Sequence, residues 1–199
     1  MREIGEFAGR RKPGDQGAGR LTPRGSDSTL FTVWSWLKRG GGKTTVMFVC
    51  TGNICRSPMA EAMFRDLARD YPRIEVTSTG IFAADGESPS EDAEVVMRAR
   101  GIDPSGLASE RVNKKAVHGA DFIFTMTEKH LISLKKMFPK VSSRMFALGE
   151  FCRNEEGLED GIDIPDPIGQ GKDAYIELFE TLSTALPSVL DFVIGKGRH

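Results

Sequence analysis

Eight consecutive residues, Cys50-Thr51-Gly52-Asn53-Ile54-Cys55-Arg56-Ser57, place a nucleophile, a planar cation and a helix start side by side. Gly52 and Asn53 are residue types that tolerate left-handed backbone, and a tight loop containing them turns amide N–H groups inward as an anion nest. Ser57 before Pro58 reads as the cap and first position of a helix, whose positive end would face the same space. Thr51, Gly52, Asn53, Ile54, Cys55 and Ser57 together are thus read as a cradle for a tetrahedral oxyanion such as phosphate. Cys50 would lie at its base, where amide dipoles, Arg56 and the Ser57 hydroxyl favour thiolate over thiol. The guanidinium of Arg56 can fork onto two phosphoryl oxygens and meet the charge that develops on them. Either cysteine alone would read as a small buried hydrophobe. The ordered string Cys-x5-Arg-Ser between a strand and a helix points instead to phosphoryl transfer.

Attack by a thiolate also needs an acid for the leaving group and, later, a base that activates water against phosphocysteine. In Asp163-Ile164-Pro165-Asp166-Pro167-Ile168-Gly169, Asp166 stands between two prolines that stiffen its backbone. Asp163 is a rival for the same work, and spacing alone does not choose between them. Rate is expected to follow a bell in pH, with thiolate needed on one side and a protonated acid on the other. No Cys/His cluster has zinc spacing, and His118, His130 and His199 lie apart from the cysteines in sequence and are given no role. The run Gly40-Gly41-Gly42-Lys43-Thr44 is not a nucleotide-binding loop. Leu37 stands where that pattern needs glycine, and the strand follows the Lys-Thr instead of preceding the glycines.

The elements that must position these groups follow from the alternation of apolar runs with helix-length segments after residue 45. Strands are expected at 45–49, 74–78, 121–126 and 144–148. Helices are expected from the Ser57 cap to about residue 70, over 91–100 behind Ser90, from Thr127 to about 138, and over 172–194 with Pro187 inside. This order predicts an α/β fold with a mostly parallel sheet covered on both faces, whose ligands bind beyond the carboxyl ends of the strands. The Cys50 loop lies at such an end.

Composition sets the wider frame. A formal net charge of −1 over 199 residues gives no general pull toward nucleic acid or membrane. The charge is uneven, however: residues 1–44 hold nine Lys/Arg, four Asp/Glu and nine of the 22 glycines. They are expected to form a disordered extension, with residues 45–199 the folded domain. The apolar stretch 30–37 is too short to span a bilayer, and an odd count of three cysteines does not suggest a secreted disulfide framework. A cytoplasmic protein without stable membrane insertion is the expectation.

The residues resemble the low-molecular-weight protein tyrosine phosphatase family. The likeness rests on residues 50–61, on Ser78-Thr79-Gly80-Ile81, on residues 120–127 and on Asp166-Pro167, and it runs from residue 45 to about 194. It implies a four-stranded parallel sheet in three layers, no metal or other cofactor, and a phosphorylated protein as substrate. It also implies that Cys50 is the nucleophile, Arg56 the phosphate clamp and Asp166 the general acid and then base, with Asn53 and Ser57 holding the loop. Cys55 would be able to pair reversibly with Cys50 and shield it from irreversible oxidation; packing alone would explain it equally well. Two features bearing on the substrate pull apart. Tyrosine-directed members carry aromatic residues after the Asp-Pro, whereas Ile168-Gly169, together with Gly80-Ile81-Phe82, resembles the protein arginine phosphatase branch. That branch has threonine where Ile54 stands, and isoleucine is the tyrosine-type residue, so phosphotyrosine is the expected substrate and phosphoarginine the alternative. Arsenate reduction lacks the later cysteine pair it needs, since only Cys152 remains. A binding module would need neither nucleophile nor acid.

Overall fold

The computed structural model describes residues 42–152 and 163–195. The expectations for residues 1–41, including the apolar stretch 30–37, and for the middle of the loop before Asp163 lie outside the described residues.

Strand β1 (Thr44–Cys50) sits inside a four-stranded sheet with β2 (Ile74–Gly80) on one side and β3 (Phe122–Thr125) on the other; β4 (Met145–Ala147) closes the order β2-β1-β3-β4. All three pairings are parallel. Among the described residues five α-helices connect and cover the strands: α1 (Arg56–Leu67), α2 (Glu91–Ala99), α3 (Lys114–Gly119), α4 (Glu128–Met137) and α5 (Lys172–Val193).

The continuous apolar run in β1 follows from burial on both faces. Val46, Phe48 and Cys50 enter one core with Met59 and Phe64 of α1 and Leu182, Leu186 and Val189 of α5. Met47 and Val49 enter a second core with Val117 of α3 and Leu131 and Leu134 of α4. Each fully buried side chain of this kind contributes about 1.5–3 kcal/mol, so the strand that ends in Cys50 is among the best anchored segments of the chain. Phe124 extends the first core through ring contacts with Phe48, Phe146 and Phe151. No helix among the described residues is long and apolar enough to cross a membrane.

Two local expectations need correction. Ser57 does not cap α1: the helix begins at Arg56 behind Cys55, whose carbonyl accepts from Met59 N at 3.2 Å. Ser57 is then the second helical residue, and its hydroxyl turns toward Cys50. Ser90 occupies the N-cap position of α2, but its side chain makes no capping bond and points at Cys55 and Tyr175 instead. Thr127 does cap α4, accepting from His130 N at 3.2 Å. Helix α3, absent from the sequence reading, is capped by Asn113, whose Oδ1 accepts from Ala116 N.

Candidate active site

The loop after β1 is fastened along the end of β2. The Cys50 carbonyl accepts from Ile81 N at 3.0 Å and the Thr51 carbonyl from Phe82 N at 2.8 Å. This close approach explains Gly80. A Cβ there would stand 2.6 Å from the Thr51 carbonyl oxygen and 2.9 Å from Asn53 N, both backbone atoms of the loop. Gly80→Ala is therefore expected to cost about 1–3 kcal/mol as overpacking. Because the strain falls on the loop, kcat should drop as well; a urea titration paired with aryl phosphate kinetics checks both.

Asn53 adopts the left-handed conformation at φ 57°, as its residue type allows, while Gly52 does not use its freedom. The buried Asn53 amide is fully engaged. Its Oδ1 accepts from Glu110 N at 2.8 Å, and Nδ2 donates to Ser57 Oγ at 2.9 Å and Ser78 Oγ at 2.8 Å. Ser78 in turn donates to Glu61 Oε2 at 2.7 Å. Burial pushes the Glu61 carboxyl up, while Ser78 and Arg65 pull it the other way. Ser57 Oγ accepts from Asn53, and its own proton has two acceptors in reach, Cys50 Sγ at 3.0 Å and the Thr79 carbonyl at 3.4 Å, of which the sulfur is the nearer. Asn53 N–H reaches the same sulfur at 3.2 Å. Two donors thus converge on Cys50 Sγ, the arrangement that complements negative charge on it.

Arg56 lies almost entirely inside, with 6% of its side chain exposed. Its Nη1 donates to the Ile164 carbonyl at 3.3 Å, and its Nη2 reaches Asp166 Oδ2 at 2.5 Å and Thr51 Oγ1 at 3.5 Å. The late loop is docked here by Ile164 N donating to the Met126 carbonyl, while Met126 N donates to the Val49 carbonyl. The two candidate acids occupy different places. Asp166, 43% exposed, faces Arg56, whereas Asp163 accepts from Glu128 N at 2.7 Å at the start of α4. Phe82 and Ile168, 72% and 56% exposed, stand beside the loop and beside Asp166 in the chain. Ile54 packs partly buried against the first core, and its carbonyl accepts from Ser90 N.

Cys55 is buried and joins a triangle with Ser90 Oγ at 3.4 Å and Tyr175 OH at 3.2 Å. Burial, aided by the Cys55 hydrogen bond, pushes the Tyr175 hydroxyl up to about 12. Cys152 is only partly buried, and burial pushes its thiol up.

Residues 45–196 match the family described as Low molecular weight phosphotyrosine protein phosphatase. The chain belongs to that family. Among its relatives is the protein-arginine-phosphatase of Geobacillus stearothermophilus, 33% identical over 151 residues, covering 76% of this chain and 94% of that protein. The low-molecular-weight protein-tyrosine-phosphatase YfkJ of Bacillus subtilis (strain 168) is also 33% identical over 151 residues, with 73% and 93% covered. The crystal structure of YfkJ superposes with a TM-score of 0.70 at 31% identity, over 80% of this chain and 99% of that one. The Geobacillus arginine phosphatase YwlE superposes with 0.64 at 29% identity, over 78% and 99%. The phosphatase is thus similar to enzymes of both named specificities.

Sequence reasoning missed His130, Ser78 and Glu61. His130 reaches Thr51 Oγ1 through Nε2 at 2.8 Å and Thr127 Oγ1 through Nδ1 at 2.9 Å, which sets it against the phosphatase loop. The available signal was its place in the first turn of a helix that starts beyond the carboxyl end of a strand neighbouring β1.

Proposed function

We propose that this phosphatase hydrolyses phosphotyrosine in proteins through a phosphocysteine intermediate. The observation that carries the mechanism is the convergence of Asn53 N–H and Ser57 O–H on Cys50 Sγ, with Arg56 and Asp166 paired beside Thr51, the next residue. Cys50 thiolate attacks phosphorus as the bond to the tyrosyl oxygen breaks, and Asp166 gives that oxygen its proton. Arg56 turns its fork onto two phosphoryl oxygens, which releases Asp166 toward the leaving atom. Asp166, now a carboxylate, takes a proton from water as the water oxygen attacks phosphorus. The S–P bond breaks, and inorganic phosphate and the Cys50 thiolate are the products.

Phosphotyrosine is supported by Ile54, which packs partly buried against the first core and offers a methyl where a hydroxyl would suit a more polar group. Phosphoarginine is the second reading, favoured by Ile168-Gly169 after Asp166-Pro167 and by similarity to the Geobacillus protein-arginine-phosphatase. Phosphate release from matched peptides bearing either residue separates the two. We expect kcat/KM about 10–100-fold higher for phosphotyrosine. The opposite order would assign the protein to phosphoarginine and give the specificity to Phe82 and Ile168.

A further inference from the structure

His130 is a titratable group at the loop for which the reaction scheme above has no use. Both ring nitrogens are committed to hydroxyls, Nε2 to Thr51 and Nδ1 to Thr127, and Thr127 Oγ1 also accepts the backbone N–H of His130. The ring is therefore fixed in plane by the cap of α4 and aimed at the residue following Cys50. A neutral imidazole has one donor nitrogen, so one of the two threonines must spend its hydroxyl proton on the ring. An imidazolium donates from both nitrogens and sets both hydroxyl protons free. Thr51 Oγ1 would then accept from His130 and from Arg56, and its own proton would be available to an oxygen held in the loop.

Resting on the reading of this loop as a phosphate site, we propose that His130 is a positioning residue: it holds the Thr51 hydroxyl at the rim and takes up a proton when a dianion enters. The charges facing the ring support this coupling. Burial and the Arg56 guanidinium hold His130 below the usual histidine value, while Asp163 and Asp166 act in the other direction. A dianion seated on Arg56 cancels the repulsion from Arg56 and adds attraction of its own, so the protonated ring becomes the favoured form. Linkage requires the reverse: a dianion binds more tightly where His130 is already protonated and more weakly as pH rises past the value of the bound form.

The test uses the full chain and sulfate, which stays dianionic across the range and cannot be hydrolysed. The imidazole signals of His130 are followed by NMR against pH with and without sulfate, with His118 and His199 as internal references. We expect His130 to titrate about one unit higher with sulfate bound, the references to stay put, and sulfate affinity to fall about tenfold across the same interval. In His130→Gln sulfate should still bind, but that pH dependence should flatten. If the amides of residues 51–57 respond to sulfate and the His130 titration does not move, the proposal is wrong while the phosphate site stands. A His130→Gln affinity lower by the same factor at every pH would also overturn it, leaving the ring a structural prop. If neither the amides nor His130 respond, and no phosphoester is hydrolysed, the phosphatase reading itself falls.

Discussion

Cys50→Ser will lower kcat for an aryl phosphate by on the order of 10⁴–10⁶-fold, the scale seen when a covalent nucleophile is removed from a machinery that acts as a unit. The substitution exchanges one atom and leaves its surroundings in place. Asn53 N–H and Ser57 O–H still have an acceptor, Arg56 still holds Ile164 O and Asp166, and within the first core only the sulfur of Cys50 itself is exchanged. What disappears is the thiolate, because a serine hydroxyl near neutral pH has almost no anionic form to attack phosphorus. Inorganic phosphate should accordingly still compete for the loop, and the urea midpoint should stay close to that of the wild type. Measured together, phosphate release, phosphate inhibition and unfolding separate a missing nucleophile from a damaged site. Turnover within about tenfold of wild type would remove Cys50 from the mechanism.

The nucleophile is legible in the sequence because the loop chemistry is local. Cys-x5-Arg follows the strand whose residues are apolar on both faces, and Asn53 takes the positive φ that its residue type permits. The sheet was legible for the same reason: strands buried on both sides show as runs, and the long α5 has a sustained apolar stripe. Helix α3 was not, since in Lys114–Gly119 only Val117 is buried, and one buried residue makes no periodicity. Ser57 misled because Ser-Pro is also a helix-start signal; only the fold shows that the helix opens two residues earlier, at Arg56 behind Cys55, and turns the hydroxyl toward sulfur. His130 and Glu61 lie 80 and 11 residues from Cys50, so their link to it belongs to tertiary packing. The same holds for the two aspartates of the late loop, where three residues of spacing say nothing about which one meets Arg56.

Asp166→Asn will slow turnover of a phosphotyrosine peptide by about 10²–10⁴-fold, and the effect will depend on the leaving group. Asparagine keeps an oxygen for Arg56 Nη2, so the loop should close on phosphate as before. It cannot donate a carboxyl proton to the tyrosyl oxygen, and it cannot take one from water. A substrate whose phenol leaves readily as an anion needs no acid in the first half-reaction, but hydrolysis of phosphocysteine still needs the base. With a nitrophenyl ester the variant should therefore release a burst of phenolate close to one equivalent of enzyme and then turn over slowly, whereas the tyrosine peptide should show a slow first step and no burst. Asp163→Asn is the control that the geometry supplies. Its carboxylate sits on Glu128 N at the start of α4, and losing that charge at a helix N-terminus costs about 0.3–1 kcal/mol of stability with little change in kcat. Two aspartates three residues apart thus take different work from their neighbours: one is held by the guanidinium of Arg56 beside the loop, the other by the amide of a helix end. Equal losses of kcat in the two variants would take the proton transfer away from Asp166.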